Sequence, residues 1–218
     1  VIKLKGEEVA RGEVLVDHFL AMNHSEEDGG IEGIDTVEPA FGLKAKWISA
    51  DMRDRAQISG YTLIDPLSVM LTHLSEIIKK HAPELVGRRE VSALLDNMKR
   101  INKQLVEDTV PGVISMGDLQ KVLCNLLEEQ IPIKDLTTIL ETVSDYAAGV
   151  KDMDLLTEYV RQALKRTITR KYADSGRMKV LTVNPDLENV ILGSVKKTDR
   201  GSYVSMEPEM MQRIVAAH

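Results

Sequence analysis

Aromatic residues are scarce in this chain, which has two phenylalanines, one tryptophan and five tyrosines among its 218 residues. Hydrophobic residues nevertheless make up 43% of the sequence and include ten methionines, so its cores must be built from aliphatic side chains. The length allows one large domain or two to three small ones. With so few rings available, an aromatic residue in a loop requires a specific explanation.

The chain also lacks cysteine pairs, long apolar runs and a net positive charge. Its single cysteine, Cys124, excludes an internal disulfide framework and indicates a reducing compartment. No apolar run approaches the ~18 residues of a membrane-spanning helix, and the N-terminus does not resemble a signal peptide. The formal net charge of −6 argues against general affinity for nucleic acid or anionic membranes. Neither end resembles a natural terminus, so we expect a soluble piece of a longer protein.

Residues 1–65 have the pattern of a mixed α/β region. Alternating or clustered apolar residues predict strands over 1–6, 13–22, 43–49 and 61–64, and leave the direction of Trp47 open. The acidic, glycine-rich stretch 23–37 predicts a mobile loop, and a short helix is expected to end at Gly60.

A longer helix is predicted to begin at Asp65, an N-cap followed by Pro66 at the first helical position. It is expected to end near His81, because Pro83 disfavours helical geometry at the residue before it. Residues at helical spacing predict a core stripe of Leu67, Met70, Leu71, Leu74, Ile77 and Ile78. Val69 lies off this stripe and is available to line a shallow surface hollow.

From Gly87 to about Tyr172 the strand pattern gives way to amphipathic helices. Their apolar stripes are Val91, Leu94, Leu95, Met98 and Ile101; Leu119, Val122, Leu123, Leu126 and Leu127; Leu136, Ile139, Leu140, Val143 and Tyr146; and Leu156, Val160, Leu164 and Ile168. Ser115 is available to cap the second helix. Short connections between such helices predict a compact helical subdomain.

The last segment returns to strand-like patterning. Residues 178–183 predict a strand, a helix follows the Asn184-Pro185 break, residues 202–206 predict a second strand, and a helix begins at Pro208. This β-α-β-α order is compatible with the start of a parallel sheet.

Signatures of enzymatic chemistry are missing. There is no phosphate-binding glycine-rich turn before a helix, no GxSxG and no CxxC motif. His73, Glu76 and His81 lie on one predicted helix, but zinc sites typically take three or four ligands, and neither a cysteine nor a second histidine falls at ligand spacing. Cys124 has no histidine near it in sequence, which favours a small, partly buried hydrophobe. We therefore expect no cofactor, metal or catalytic residue.

Phe41 is a large aromatic residue in a region predicted to be a loop, which is an unusual position for such a ring. It follows Glu38-Pro39-Ala40 and precedes Gly42, at the edge of the acidic stretch, where side chains are usually polar. The ring either folds back to fill a core or is partly exposed in a partner-binding hollow. The residues alone do not decide between these two interpretations.

Four segments resemble, in the correct order, the cytoplasmic domain of the FlhA family, the export-gate proteins of flagellar type III secretion. They are 36–48, 60–91, 123–147 and 155–168. The resemblance implies a non-enzymatic parent protein in the bacterial inner membrane, with this soluble fragment on its cytoplasmic side. It also implies a homo-oligomeric ring that contacts other export-apparatus proteins and docks export chaperones carrying filament-type substrates.

The resemblance implies an α+β fold made of several small subdomains. The first is discontinuous and lacks its start, an α/β subdomain is inserted in it, a helical bundle follows, and the C-terminal α/β subdomain is incomplete. Their expected ranges are 1–16 with 66–86, 17–65, 87–168 and 169–218.

The family's chaperone site is a hydrophobic dimple between the first and inserted subdomains. Carried over residue by residue, it corresponds to Glu38, Phe41, Ile64, Val69 and Thr72, with Glu38 and Thr72 as polar contacts at its rim. Many relatives have Asp where this chain has Glu38, and some have a proline where it has His24, which leaves the shape of the rim open. The alternatives are a structural ring module without cargo contact, and a metal-dependent enzyme using His73, Glu76 and His81.

Overall fold

The computed structural model describes residues 1–23, 30–180, 182–198 and 201–216. The chain forms two compact units, Val1–Ile168 and Thr169–His218. Helices and several small sheets share the chain, which confirms the α+β class. The division into four subdomains remains a prediction.

The first unit begins with two small sheets. Strands β1 (Ile2–Leu4) and β2 (Glu7–Ala10) form an antiparallel hairpin. Strands β3 (His18–Met22), β4 (Ile34–Val37), β5 (Lys44–Ser49) and β6 (Thr62–Ile64) form an antiparallel sheet in the order β4-β5-β3-β6. The strand predicted over 13–22 is therefore too long. Asp17 has a φ of +63°, outside the extended region, so the strand starts only after it.

The two faces of this four-stranded sheet carry separate apolar clusters because side chains alternate along each strand. One cluster consists of Leu20, Ala45, Trp47 and Val69, with Leu15, Met22 and Ile64 at its edge. The other consists of Ala21, Ile31, Ile48, Ala56 and Tyr61 and packs against Phe19, Met52 and Leu63. Trp47 is thus buried on the face that meets the next long helix.

The loop predicted over 23–37 is wrong at its end, because residues 34–37 form strand β4. It pairs with β5 at the edge of the sheet, with Ile34 opposite Trp47 and Val37 opposite Lys44. An edge strand has one neighbour and keeps exposed, polar positions, so its sequence looked like a loop. The part of that prediction covering 24–29 lies outside the described residues.

The predicted short helix is a 3₁₀ turn (Ala50–Met52) followed by α1 (Arg53–Ile58). Helix α2 (Pro66–Lys80) follows β6 with the predicted cap, since the Asp65 side chain accepts a hydrogen bond from Ser68 N at 3.0 Å. A further short helix, α3 (Ala82–Leu85), has Pro83 in its first turn.

The core stripe predicted on α2 is wrong. Leu67, Met70, Leu71, Leu74 and Ile78 are all exposed and Ile77 is only half-buried, whereas Val69 and His73 are buried. The helix packs on the sheet through Val69, which joins the Leu20 and Trp47 cluster. The prediction that Val69 is free to line a surface hollow therefore also fails, because the sheet already covers this side chain.

The helical part of the first unit matches the predicted stripes closely. It contains α4 (Arg88–Lys99), α5 (Lys103–Thr109), α6 (Met116–Glu128), α7 (Leu136–Tyr146), α8 (Met153–Ala163) and the start of α9 (Lys165–Tyr172). Its core is one cluster that includes Leu95, Leu119, Leu123, Ile139, Leu140, Leu156 and Val160. Ser115 caps α6 as predicted.

Two residues of those stripes are exposed, Leu127 is only half-buried and lies outside the core cluster, and α5 was not foreseen. Ile101 lies beyond the end of α4 and is 80% exposed. Tyr146 is exposed at the end of α7, where its ring stacks on Tyr159 with centroids 4.4 Å apart. Both residues follow the helical spacing but lie where the helix has left the core.

The second unit contains α10 (Pro185–Ser194), β7 (Val195–Thr198), β8 (Gly201–Val204) and α11 (Pro208–Ala216). The parallel arrangement of 178–183 with 202–206 is wrong, because the described strands of this unit, β7 and β8, pair antiparallel with each other. Only two residues separate them, far fewer than a parallel crossover needs. The strand predicted over 178–183 is absent from 178–180 and 182–183, and Leu181 lies outside the described residues.

Candidate partner-binding site at the 38–43 turn

Strands β4 and β5 are joined by a six-residue turn, 38–43, which we call the Phe41 turn. Glu38 N donates a hydrogen bond to Leu43 O at 2.8 Å, and Gly42 N donates to Glu38 O at 2.9 Å. Gly42 has a φ of +72°, a left-handed conformation that glycine adopts without a steric penalty. These features close the turn at its base and give it a defined shape.

The Glu38 side chain lies inside this turn. Its Oε1 accepts a hydrogen bond from Ala40 N at 3.0 Å, and its Oε2 accepts one from Phe41 N at 2.7 Å. The residue is only 3% exposed. Hydrogen bonds from backbone amides to a carboxylate are shorter and stronger than neutral ones, so Glu38 holds the backbone on which Phe41 is mounted.

The Phe41 ring points away from the core. It is 62% exposed and, within the described chain, belongs to neither cluster of the sheet. The interpretation of Phe41 as a core-filling ring is therefore wrong. Val37, just before the turn, and Leu43, its last residue, are also exposed, so this end of the sheet presents several apolar side chains to solvent.

A cleft of about 640 Å³ lies beside the turn. It is lined by Val1, Arg11, Gly12, Glu13, Thr36, Val37, Glu38, Pro39 and Gly42. The residues on both sides of Phe41 thus form one wall, and the segment after β2 forms the other.

At Gly12 the segment after β2 comes close to both helix α2 and the Phe41 turn. A Cβ atom at this position would lie 2.8 Å from His73 Nδ1 on α2 and 3.3 Å from Pro39 Cβ in the turn. Only glycine allows so close an approach. Neither Gly12 nor Pro39 was predicted to belong to the site, although an isolated glycine in a strand-like region is a sign of close backbone approach.

The other predicted site residues lie on β6 and α2. Ile64 is half-buried and packs at the edge of the cluster that contains Val69, whereas Thr72 is exposed on α2. The structure thus brings Ile64 and Val69 together where the sheet meets α2 and leaves Phe41 and Thr72 at the surface.

The junction between Ile64 and α2 is fixed by Asp65. The Ser68 hydroxyl donates to Asp65 Oδ2 at 2.6 Å. This hydrogen bond, followed by the one from the Ser68 amide, lowers the pKa of Asp65. The cap therefore remains a charged carboxylate at neutral pH, as suits a helix N-terminus.

The residues of the metal-enzyme alternative have separate neighbours. His73 is buried against Gly12, Glu76 pairs with Lys79 at 2.6 Å, and His81 Nδ1 lies 2.6 Å from Glu84 Oε1. No three His, Cys, Asp or Glu side chains in the described ranges are placed to hold a metal ion.

Cys124 is half-buried on α6, and its thiol points at two backbone carbonyls. Its Sγ lies 3.5 Å from Pro83 O and 3.8 Å from Val86 O. Burial, and then the charge of Glu128, raises the pKa of the thiol, which disfavours the nucleophilic thiolate.

A helix that crosses a bilayer must be both long and predominantly apolar. None of the helices over the described residues combines the length and the apolar character needed to cross a bilayer.

The chain is similar in sequence and in structure to flagellar and type III secretion proteins. The flagellar biosynthesis protein FlhA of Bacillus subtilis (strain 168) is 49% identical over 215 residues, which cover 98% of this chain and 32% of the relative. The Chlamydia pneumoniae CdsV structure matches with a TM-score of 0.84 and 33% identity, over 98% of this chain and 62% of that one. The nonameric EscV cytosolic domain of a type III secretion system matches with a TM-score of 0.75 and 26% identity, over 98% and 64%.

The family assignment rests on the whole chain, although the chain spans only about a third of the length of the curated relatives. The model of the FHIPEP family matches residues 1–218. The segments that resemble flagellar export-gate proteins lie within this match. The chain belongs to the FHIPEP family.

Proposed function

We propose that this chain is part of the cytoplasmic region of a type III protein export gate in the bacterial inner membrane, and that it works within a homo-oligomeric ring. The similarity to FlhA proteins and to a nonameric cytosolic domain supports this role. CdsV, which shares the fold, has also been solved in complex with CdsO, so we expect other export-apparatus proteins among the partners.

We further propose that the Phe41 turn docks export chaperones together with their bound filament-type substrates. The observation that carries this proposal is the exposed Phe41 ring on a turn fixed by internal hydrogen bonds. A ring carried on a preorganised backbone loses less conformational entropy on association than one on a mobile loop. Aromatic anchors of this kind account for much of the affinity of protein interfaces.

The remaining site residues have different roles in this proposal. Ile64 on β6 and Val69 on α2 join the sheet to the helix, since Val69 is buried and Ile64 half-buried in one cluster. Thr72 is exposed on α2 and is available for a polar contact. A partner helix that places an apolar side chain against Phe41 would use the helix-in-groove mode of recognition.

Replacing Phe41 with alanine tests the docking role. Phe41→Ala is expected to weaken binding of a purified flagellar chaperone–substrate complex about thirtyfold or more, corresponding to ~2 kcal/mol or more, because it removes an aromatic anchor. The melting temperature should change little, since the ring is mostly exposed. Calorimetry and thermal melts measure the two quantities. Thr72→Met is expected to weaken binding as well, because it replaces an exposed polar contact on α2 with a larger apolar side chain.

Ile58→Ala is the matched control, because Ile58 is an 88% exposed apolar residue on α1, outside the proposed site. It should change neither binding nor melting. Normal binding by Phe41→Ala would overturn the docking role and leave a ring module without cargo contact. Global unfolding of Phe41→Ala would show that the ring supports the fold instead.

A further inference from the structure

We infer that Glu38 acts as a positioning residue for Phe41 and does not itself contact the partner. This inference rests on the proposed docking function and assigns Glu38 a role different from the rim contact that the family resemblance implies. It follows from where the Glu38 polar groups point and from how little of the residue is exposed.

All the polar groups of Glu38 are used within the turn. Its amide donates to Leu43 O, its carbonyl accepts from Gly42 N, and its two carboxylate oxygens accept from Ala40 N and Phe41 N. With 3% of the residue exposed, the carboxylate offers almost no surface to a second protein. A direct contact would have to break the hydrogen bonds that give the turn its shape.

The carboxylate holds the amides of the second and third residues after it. Asp, Asn and Ser make the same contacts when they cap helices and turns. Here one of the two amides belongs to Phe41 itself, at 2.7 Å. The position of Phe41 is therefore tied directly to the charge of Glu38.

Loss of the carboxylate should reduce the fraction of molecules in which the ring is correctly placed. The apparent affinity falls in proportion to that fraction, even when every contact atom is still present. We expect Glu38→Ala to weaken chaperone–substrate binding about tenfold. Glu38→Asp should restore most of the affinity, because a shorter carboxylate at this position can still accept from both amides.

The first arm of the test needs no partner. Amide hydrogen exchange, followed by NMR on the whole chain, should be faster at Ala40 and Phe41 in Glu38→Ala and close to the original in Glu38→Asp. Asp35→Ala is the matched control: Asp35 is an 88% exposed carboxylate on β4 with a 3.9 Å ion pair to Lys46. It should leave exchange at both amides unchanged.

The second arm is a double-mutant cycle of Glu38→Ala and Phe41→Ala, read by calorimetry with the chaperone–substrate complex. If Glu38 acts through Phe41, the double variant should bind no more weakly than Phe41→Ala alone. Additive losses would mean that Glu38 contacts the partner directly and would overturn the inference. Unchanged exchange at Ala40 and Phe41 in Glu38→Ala would overturn it as well.

The two arms separate this inference from the docking proposal. If the unmodified chain fails to bind the complex, the docking proposal falls. The exchange measurement still decides whether Glu38 holds the Phe41 turn.

Discussion

Helices α2 and α6 carry similar apolar stripes, but the stripe of α6 is buried and that of α2 is largely exposed. On α6, Leu119, Leu123 and Leu126 are completely buried. On α2, the leucines of the predicted stripe remain exposed, with Leu71 at 52%. Helical spacing therefore identifies which face of a helix is apolar, but it does not tell which face the rest of the chain covers.

The neighbours of the two helices explain the difference. Helix α6 packs against α3, α4 and α8, which surround its stripe. Helix α2 meets β3 on one side and α3 near its end, and it uses Val69 for the sheet contact. Burial is thus a property of the assembly of elements, whereas amphipathicity is a property of one segment.

The largest expected change in the free energy of unfolding comes from the buried apolar stripe of α6. Leu123→Ala should lower the free energy of unfolding by about 2–5 kcal/mol, because it leaves a cavity in a fully packed core. Urea denaturation followed by far-UV circular dichroism measures this change. A loss below about 1 kcal/mol would mean that the helical core is far looser than the burial of Leu123 indicates.

An intermediate effect is expected on the covered side of α2. Val69→Ala should cost about 2 kcal/mol, since it removes buried methyl groups that contact the sheet. The same denaturation experiment applies. A negligible cost would show that α2 does not depend on the sheet, and the contrast between its two faces would disappear.

The smallest effect is expected on the uncovered side of α2. Leu71→Ala makes the same chemical change as Leu123→Ala, but at a surface position it should alter the free energy of unfolding by no more than about 0.5 kcal/mol. The pair thus isolates burial from residue type. A cost for Leu71→Ala close to that of Leu123→Ala would mean that this face is covered in solution.

The parts of the fold that were predictable from sequence are those decided locally. The Asp65 and Ser115 caps and the stripes of α4 and α6 to α8 depend on residues a few positions apart, and the structure confirms them apart from Ile101, Leu127 and Tyr146. Strand β4 and the β7-β8 hairpin depend on which strands pair, and these were missed. Pairing across a sheet is set by tertiary context more than by local preference.

The candidate site shows the same limit. The sequence marked Phe41 as unusual but left its direction open, because residue type alone does not decide whether a ring faces solvent. The carboxylate cap of Glu38 was not foreseen, since glutamate is not among the residues that usually cap turns. The close approach at Gly12 required the path of a segment distant in sequence from Pro39 and His73.

Trp47 makes the sheet packed against α2 distinguishable from the helical core by fluorescence. It is the only tryptophan in the chain, and it lies buried in the same cluster as Val69, with Leu20 opposite it on β3. Its intrinsic fluorescence therefore reports on the contact between the sheet and α2 and is insensitive to the helical core, which dominates the circular dichroism signal. Two spectroscopic signals from one unlabelled sample can thus show whether the sheet and the helical bundle melt as a single cooperative unit.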